Sequence, residues 1–421
     1  MPTKRYHIAI IGDSLQTYIA CCYLTQELRR SNIQLTAIQL PNKGSNSIRH
    51  AFTPFTPILS PILNSKQKTP FDHITIKTQA DPRGMPFNFS DYGQPSAAVN
   101  FHQAYERSKQ HDHHTAKIGD FLKTKNDIFG ITYNQENIEI LLRQLCTQQD
   151  IYTICTDALT VTTTDGAIEQ ISTQEDQLVS ADLYIDCSSQ QVLMKKLQDP
   201  VVISKNNIPY YHIEKKVEQS TSPVNNHIIS SNNNITSCLQ AGTTIEKIQY
   251  SFNEEKKQGA IQSMYFTQAW KHNCISLGKG YCQLPELLIC TDRILESQLL
   301  ALAPFLPMYK HFSSAQAHYS MHSKRVLDDA IDSTNFLIQE AYNPCELTST
   351  NTTRKKLFES SGASHQREPS MINSNCWGAL MRSVGITPKT TNALAQARSA
   401  ASISQKVNQL LIGENHAVPS K

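Results

Sequence analysis
Apolar residues are continuous near the start of the chain and periodic farther along. Ile8-Ala9-Ile10-Ile11 is an unbroken apolar run closed by Gly12-Asp13-Ser14, and a second, longer apolar segment extends from Leu15 to Leu24. A short apolar run, a turn and a longer run predict a buried strand feeding a helix. Residues 34–40 predict the next strand, so 1–40 read as β-α-β. Residues 73–78 alternate, which sets His73, Thr75 and Lys77 on the face opposite Ile74 and Ile76. In 134–148, Ile138, Leu141, Leu142 and Leu145 fall on one face of an amphipathic helix. Short strands follow near 152–154 and 159–161, and 181–188 reads as a strand running into a turn. From Trp270 onward helices dominate, over 286–303, 315–342 and near 391–411. Segments rich in Pro, Ser and Asn predict loops at 41–70 (with one short helix), 81–115, 225–234 and 348–374.

The turn after the first strand is placed where a G-x-G-x-x-G loop would cradle a pyrophosphate on a helix N-terminus. Gly12 keeps the first glycine, while Ser14 and Thr17 hold the second and third positions. Each replacement adds a Cβ where backbone, phosphate and helix approach most closely. In such folds an acidic residue about 20 residues on accepts from the ribose hydroxyls, and Gln39 stands there. A glutamine accepts a hydrogen bond without the charge that strengthens it.

Composition narrows the classes. A chain of 421 residues suggests one large composite fold or coupled domains. A net charge of +3 with no dense basic tract gives no support for nucleic-acid binding. No segment approaches the ~20 apolar residues of a membrane span, and Gly12 and Asp13 cut short the only apolar run near the N-terminus, which reads as a strand and not as a signal peptide. The 11 cysteines form no C-x-x-C pair, and Cys21 and Cys22 read as small buried hydrophobes, so a reducing, cytoplasmic setting is expected. His111-Asp112-His113-His114 lacks regular ligand spacing and reads as a solvated loop, so no metal is expected.

Several anchors recur in an order that resembles the flavin-dependent tryptophan halogenase family. Besides the first turn, these are Ile74-Thr75-Ile76-Lys77, Gly130-Ile131-Thr132-Tyr133-Asn134 and Ala181-Asp182-Leu183-Tyr184-Ile185-Asp186-Cys187-Ser188. Asn273-Cys274-Ile275-Ser276-Leu277-Gly278, Tyr281-Cys282-Gln283-Leu284-Pro285-Glu286 and Cys376-Trp377-Gly378 followed by Gly385-Ile386-Thr387-Pro388 continue the series. Departures are as specific. The flavin loop's nearest counterpart, residues 50–57, has no glycine, and Ser189 replaces the glycine after Asp186-Cys187-Ser188. The W-x-W-x-I-P signature falls on Thr243-Thr244-Ile245-Glu246-Lys247-Ile248, without either tryptophan or the proline.

The resemblance implies an α/β fold. A Rossmann-like FAD-binding region would span 1–200 with an insert at 41–115, a sheet-built substrate region 201–300, and a helical region 301–421. It implies FAD held around Gly12, Ser14, Thr17, Gln39 and Asp186. A separate flavin reductase would supply FADH2 for halogenation or monooxygenation of an aromatic, indole-type substrate, and a homodimer is the family-like assembly. Lys77 takes the place of the active-site lysine and Glu286 that of the glutamate beside the developing arenium cation. The bland readings are a strand lysine with its head in water, a carboxylate favoured by a helix N-terminus and, for Trp270, a core residue. Loss across separate flavin motifs fits a second expectation, a non-catalytic protein of the same fold that uses its cleft for binding or partner contact.

Overall fold
The computed structural model describes residues 5–41, 48–52, 57–63, 68–71, 73–79, 81–82, 84–87, 99–111, 130–255, 257–306, 312–364, 371–390 and 393–412. Cys21 and Cys22 are buried, whereas Asp112, His113 and His114 lie outside the described residues.

The unbroken run at Ile8–Ile11 forms the centre of a parallel sheet because both its faces are covered. Strand β1 (Tyr6–Gly12) leads through a turn to helix α1 (Leu15–Leu28) and strand β2 (Ile33–Gln39). β1 pairs in parallel with β2 on one side and with Leu183–Asp186 on the other. Tyr152–Cys155 extends the sheet beyond β2, while Cys274–Ser276 and Trp270–Lys271 extend it beyond Leu183–Asp186. Ile8, Ile10, Ile11, Tyr18, Ile19 and Leu24 have no exposed surface. On its outer side α1 meets the helix Gln135–Gln148, whose N-cap Asn134 accepts from the Asn137 N–H at 3.1 Å. Cys22 Sγ and Cys146 Sγ touch at 3.6 Å across that contact.

A second six-stranded sheet has the order Tyr210–Gln219, Thr244–Asn253, Asn234–Ala241, His227–Ser231, Ile74–Lys77, Met85–Phe87. Its strand His227–Ser231 and its neighbour Asn234–Ala241 form a hairpin across residues expected to be a mobile loop. Their apolar positions, with Ile228 and Ile235 buried, are sparse enough for the Asn and Ser content to mask the alternation. The expected loop 41–70 likewise contains the strands Ile48–Phe52 and Thr69–Phe71, both paired with Gly130–Asn134. The expected loop 81–115 contains the strand Met85–Phe87 and the helix Phe101–His111.

The helical part centres on Phe312–Ala341. The polar stretch after it forms the helix Ser349–Ser361, which turns inward the residues that looked most loop-like: Asn351 and Arg354 are fully buried. The Arg354 guanidinium lies 2.8 Å from Asp332 and 3.9 Å from the Trp377 ring centroid. The last expected helix is broken into Ala393–Gln396 and Ala400–Ile412. Trp270 is a core residue, its ring set edge-on to Tyr319.

Gly280 is where the Gly278–Gly280 turn meets the first sheet. A Cβ there would collide with the Asp186 carbonyl and lie 3.2 Å from the Cys187 nitrogen. Backbone on both sides cannot yield as a side chain tip would, so Gly280→Ala is expected to cost about 3 kcal/mol, the upper end of overpacking losses. Urea unfolding of the variant measures it.

Candidate active site and its closed nucleotide turn
A cavity of about 400 Å³ lies where the C-terminal end of the first sheet faces the second. From the second sheet it receives Tyr211, Ile213 and Lys215, alternate residues of one strand, and Ile248 and Tyr250 of the next. Lys215 pairs with Ile248 and Ile213 with Tyr250, which puts all of them on one face. From the first sheet's turns come Asp13, Ser14, Ser189 and Lys279, and beneath them Arg49, Glu286 and Thr291.

Arg49 organises that floor. It donates from Nη2 to Glu286 Oε1 at 2.7 Å, from Nη1 to Glu286 Oε2, and from Nε to Asp292 Oδ2 at 3.1 Å. Glu286 also accepts from the Thr291 N–H at 3.0 Å and from the Thr291 hydroxyl. Asp292 accepts from the Tyr133 hydroxyl at 3.0 Å and from Gln16 Nε2 at 2.6 Å. Burial pushes the Glu286 carboxyl's pKa up, but Arg49, then Lys279 and Thr291, hold it well below the usual carboxylate range. Asp292 is lowered in the same way, burial opposing and Arg49 prevailing.

Lys77 lies elsewhere. Ile248 pairs with Ser237, Ser237 with Ile228, and Ile228 with Ile76, so Ile76 belongs to the face that lines the cavity. Lys77, one residue on, belongs to the opposite face. Its strand is three strand spacings from Thr244–Asn253, about 14 Å at the usual ~4.8 Å.

The residues at nucleotide-binding positions are tied into the protein. Ser14 is the N-cap of α1 in extended conformation, and its buried Oγ has no hydrogen-bond partner among the described residues. The Thr17 hydroxyl sits in the space that a Cβ on Gly12 would take, with Cys187 Cβ 3.1 Å away on the other side. The Asp13 carboxylate accepts from the Ser189 N–H at 3.1 Å and from its hydroxyl. Gln16 Oε1 accepts from the Lys279 N–H at 2.9 Å. Gln39 is buried, donates to the Leu40 carbonyl at 3.1 Å and lies outside the cavity lining. Asp186 is completely buried and accepts from the N–H groups of Ser188, Leu193 and Met194 at 2.9, 2.8 and 3.1 Å. Burial raises its pKa despite these bonds.

Of the sequence-predicted residues, the cavity thus brings together Glu286 and Ser14. Arg49, Lys215, Lys279, Tyr211 and Tyr250 carried no sequence signal of their own, although Lys279 follows the Asn273–Gly278 anchor. Among the described residues no His, Cys, Asp or Glu cluster is suited to a metal, and no helix is long and apolar enough to cross a membrane.

The fold has known counterparts. The tryptophan halogenase family model matches residues 7–201. A flavin-dependent halogenase from Xanthomonas campestris superposes with a TM-score of 0.82 at 14% identity, over 97% of this chain and 94% of that one. One from Brevundimonas sp. BAL3 gives 0.83 at 12%, over 97% and 96%. A tryptophan 6-halogenase from Streptomyces toxytricini gives 0.79 at 11%, over 96% of each chain. No curated protein matches the chain in sequence. Residues 7–201 carry the tryptophan halogenase family's sequence, and the chain as a whole has the flavin-dependent halogenase fold.

Removing Arg49 leaves two carboxylates buried without their cation, so Arg49→Met is expected to destabilise the protein by about 3–5 kcal/mol, read by chemical denaturation. The pH dependence follows from the sign of the shifts. Glu286 and Asp292 have folded pKa values below their unfolded ones. Their contribution is therefore complete above the unfolded values of about 4 and is lost as pH falls toward the folded ones. In Arg49→Met the largest lowering influence is gone, and burial, opposed only by Lys279 and the remaining hydrogen bonds, moves both upward. The stability gap between wild type and variant should narrow between pH 6 and 4; a constant gap would show that the ion pair does not carry it.

Proposed function
We propose that this chain is a non-catalytic protein of halogenase fold whose cleft binds a small molecule instead of supporting FADH2-dependent halogenation. The state of Glu286 carries this reading. A general base needs a pKa near the working pH. Both Glu286 oxygens accept from Arg49 or Thr291, and the group is held far toward its ionised form. Lys77, the other residue of the expected pair, stands on the sheet's far face.

The nucleotide turn supports the same reading, because its residues do not suit a pyrophosphate. A phosphate at the N-terminus of α1 gains from the helix dipole and the free N–H groups. Here it would lie beside the Asp13 carboxylate, and the close approach at Gly12 is taken by Thr17. Like charges at about 4 Å repel by roughly 4 kcal/mol at a surface-like dielectric, which exceeds the helix-end gain of about 0.3–1 kcal/mol.

Purified protein is therefore expected to be colourless and to leave the fluorescence of titrated FAD unchanged. Given a flavin reductase, halide and indole-type substrates, it should yield no halogenated product. Halide-dependent product would overturn the proposal, and Lys77→Ala would then test the lysine: loss of halogenation with flavin binding intact would assign it the catalytic role.

A further inference from the structure
We propose that two copies of this chain pair edge to edge, the strand Tyr210–Gln219 of one running antiparallel to that of the other with Val217 opposite Val217. The pairing is independent of what the cleft binds. This strand stands last in the order of the second sheet. Among the described residues its outer side is hydrogen-bonded at Tyr211, which donates to the Ile261 carbonyl at 3.1 Å and accepts from the Ile261 N–H at 2.8 Å. Backbone groups point alternately to the two sides of an antiparallel strand. With Tyr211 outward, the next outward residues are Ile213, Lys215, Val217 and Gln219. The Ser220 N–H, in the opposite phase, bonds inward to Thr243 at 2.8 Å. Residues 213–219 are all exposed, Val217 by 53%. Outward backbone groups beside exposed apolar side chains are a template for another strand.

The side chains select a second copy and one register. Outward residues must face outward residues, so the two-fold axis passes through a residue and not between two. An axis at Glu214, Lys215, Lys216 or Glu218 would set that charge directly against itself, which is unfavourable. An axis at Ile213 would bring Lys215 of the second copy against Tyr211, whose outer bonds Ile261 already takes. One at Gln219 would run off the end of the strand. An axis at Val217 has none of these faults. Val217 meets its own copy, Lys215 meets Gln219, and Lys216 meets Glu218 on both sides of the axis. Lysines that would repel a chance strand thus leave one register open.

The lateral pairs answer a need within the single chain. Lys216 stands opposite Lys247 of its own sheet, and no carboxylate of the described residues lies within 4 Å of its amine. Lys247 is held by Glu218 at 2.8 Å. Glu218 of the second copy would face Lys216 as a non-hydrogen-bonded pair, the kind whose side chains come closest. Such a two-fold contact is self-complementary and closes at the dimer. It also fastens, from outside, the strand whose Ile213 and Lys215 line the cavity.

Sedimentation velocity of the full-length protein over a range of concentrations tests this. A monomer–dimer equilibrium is expected, weakened by salt because its lateral pairs are charged. Val217→Lys, at an exposed position, should abolish the dimer and leave the urea midpoint unchanged. Lys216→Glu and Glu218→Lys should each be monomeric, and an equimolar mixture of the two should dimerise again, since both lateral pairs then unite opposite charges. Val217→Cys, oxidised with copper phenanthroline, should cross-link to itself several-fold faster than Lys216→Cys or wild type, because only residue 217 meets its own copy at a distance a disulfide spans. A protein that stays monomeric at its highest soluble concentration overturns the proposal. So does a dimer that survives Val217→Lys, a mixture that fails to dimerise, or preferential cross-linking of Lys216→Cys.

Discussion
The guanidinium of Arg49 sits at the centre of a buried polar network that joins distant parts of the chain. It links the strand Ile48–Phe52 to Glu286 and to Asp292 in the first turn of the helix Thr291–Leu302. Asp292 in turn reaches Tyr133 on the neighbouring strand and Gln16 on α1. Burying three charges is costly, and mutual attraction offsets that cost only when the remaining donors and acceptors are also satisfied. The network meets this condition with hydroxyl, amide and backbone donors. The network reaches the turn through Gln16 and the cavity through Glu286.

The turn after β1 shows how side chains fill the space around it. In a phosphate-binding turn, free N–H groups and absent side chains leave a concave, positive surface. Here Thr17 lies over Gly12, Asp13 accepts from Ser189 and Gln16 from Lys279, while Ser14 gives α1 no side-chain cap. The Asp186 carboxylate likewise caps the N–H groups of the turn that follows it.

What the sequence made legible was local. The strand–turn–helix at Ile8–Leu24, the inward Ile74 and Ile76, and the helix after Asn134 each depend on neighbours within a few residues. The altered glycine positions were legible for the same reason. Glu286 could not be assessed that way, since its partner Arg49 is 237 residues away in a stretch that reads as loop. The side of the sheet on which Lys77 falls could be read, but not the side on which the cavity would lie. That depends on a register running through four strands, two of them hidden by their Asn and Ser content.

One wall of the cavity is a sheet edge. Among the described residues the strand Tyr210–Gln219 is hydrogen-bonded along its length to Thr244–Asn253, and on its other side the bridge from Tyr211 to Ile261 fastens one end. Beyond that bridge Ile213 and Val217 are exposed. Within a single chain one ladder and one bridge hold this wall, while the floor is held by the Arg49 network, so amide hydrogen exchange is expected to be faster over 213–219 than around Arg49.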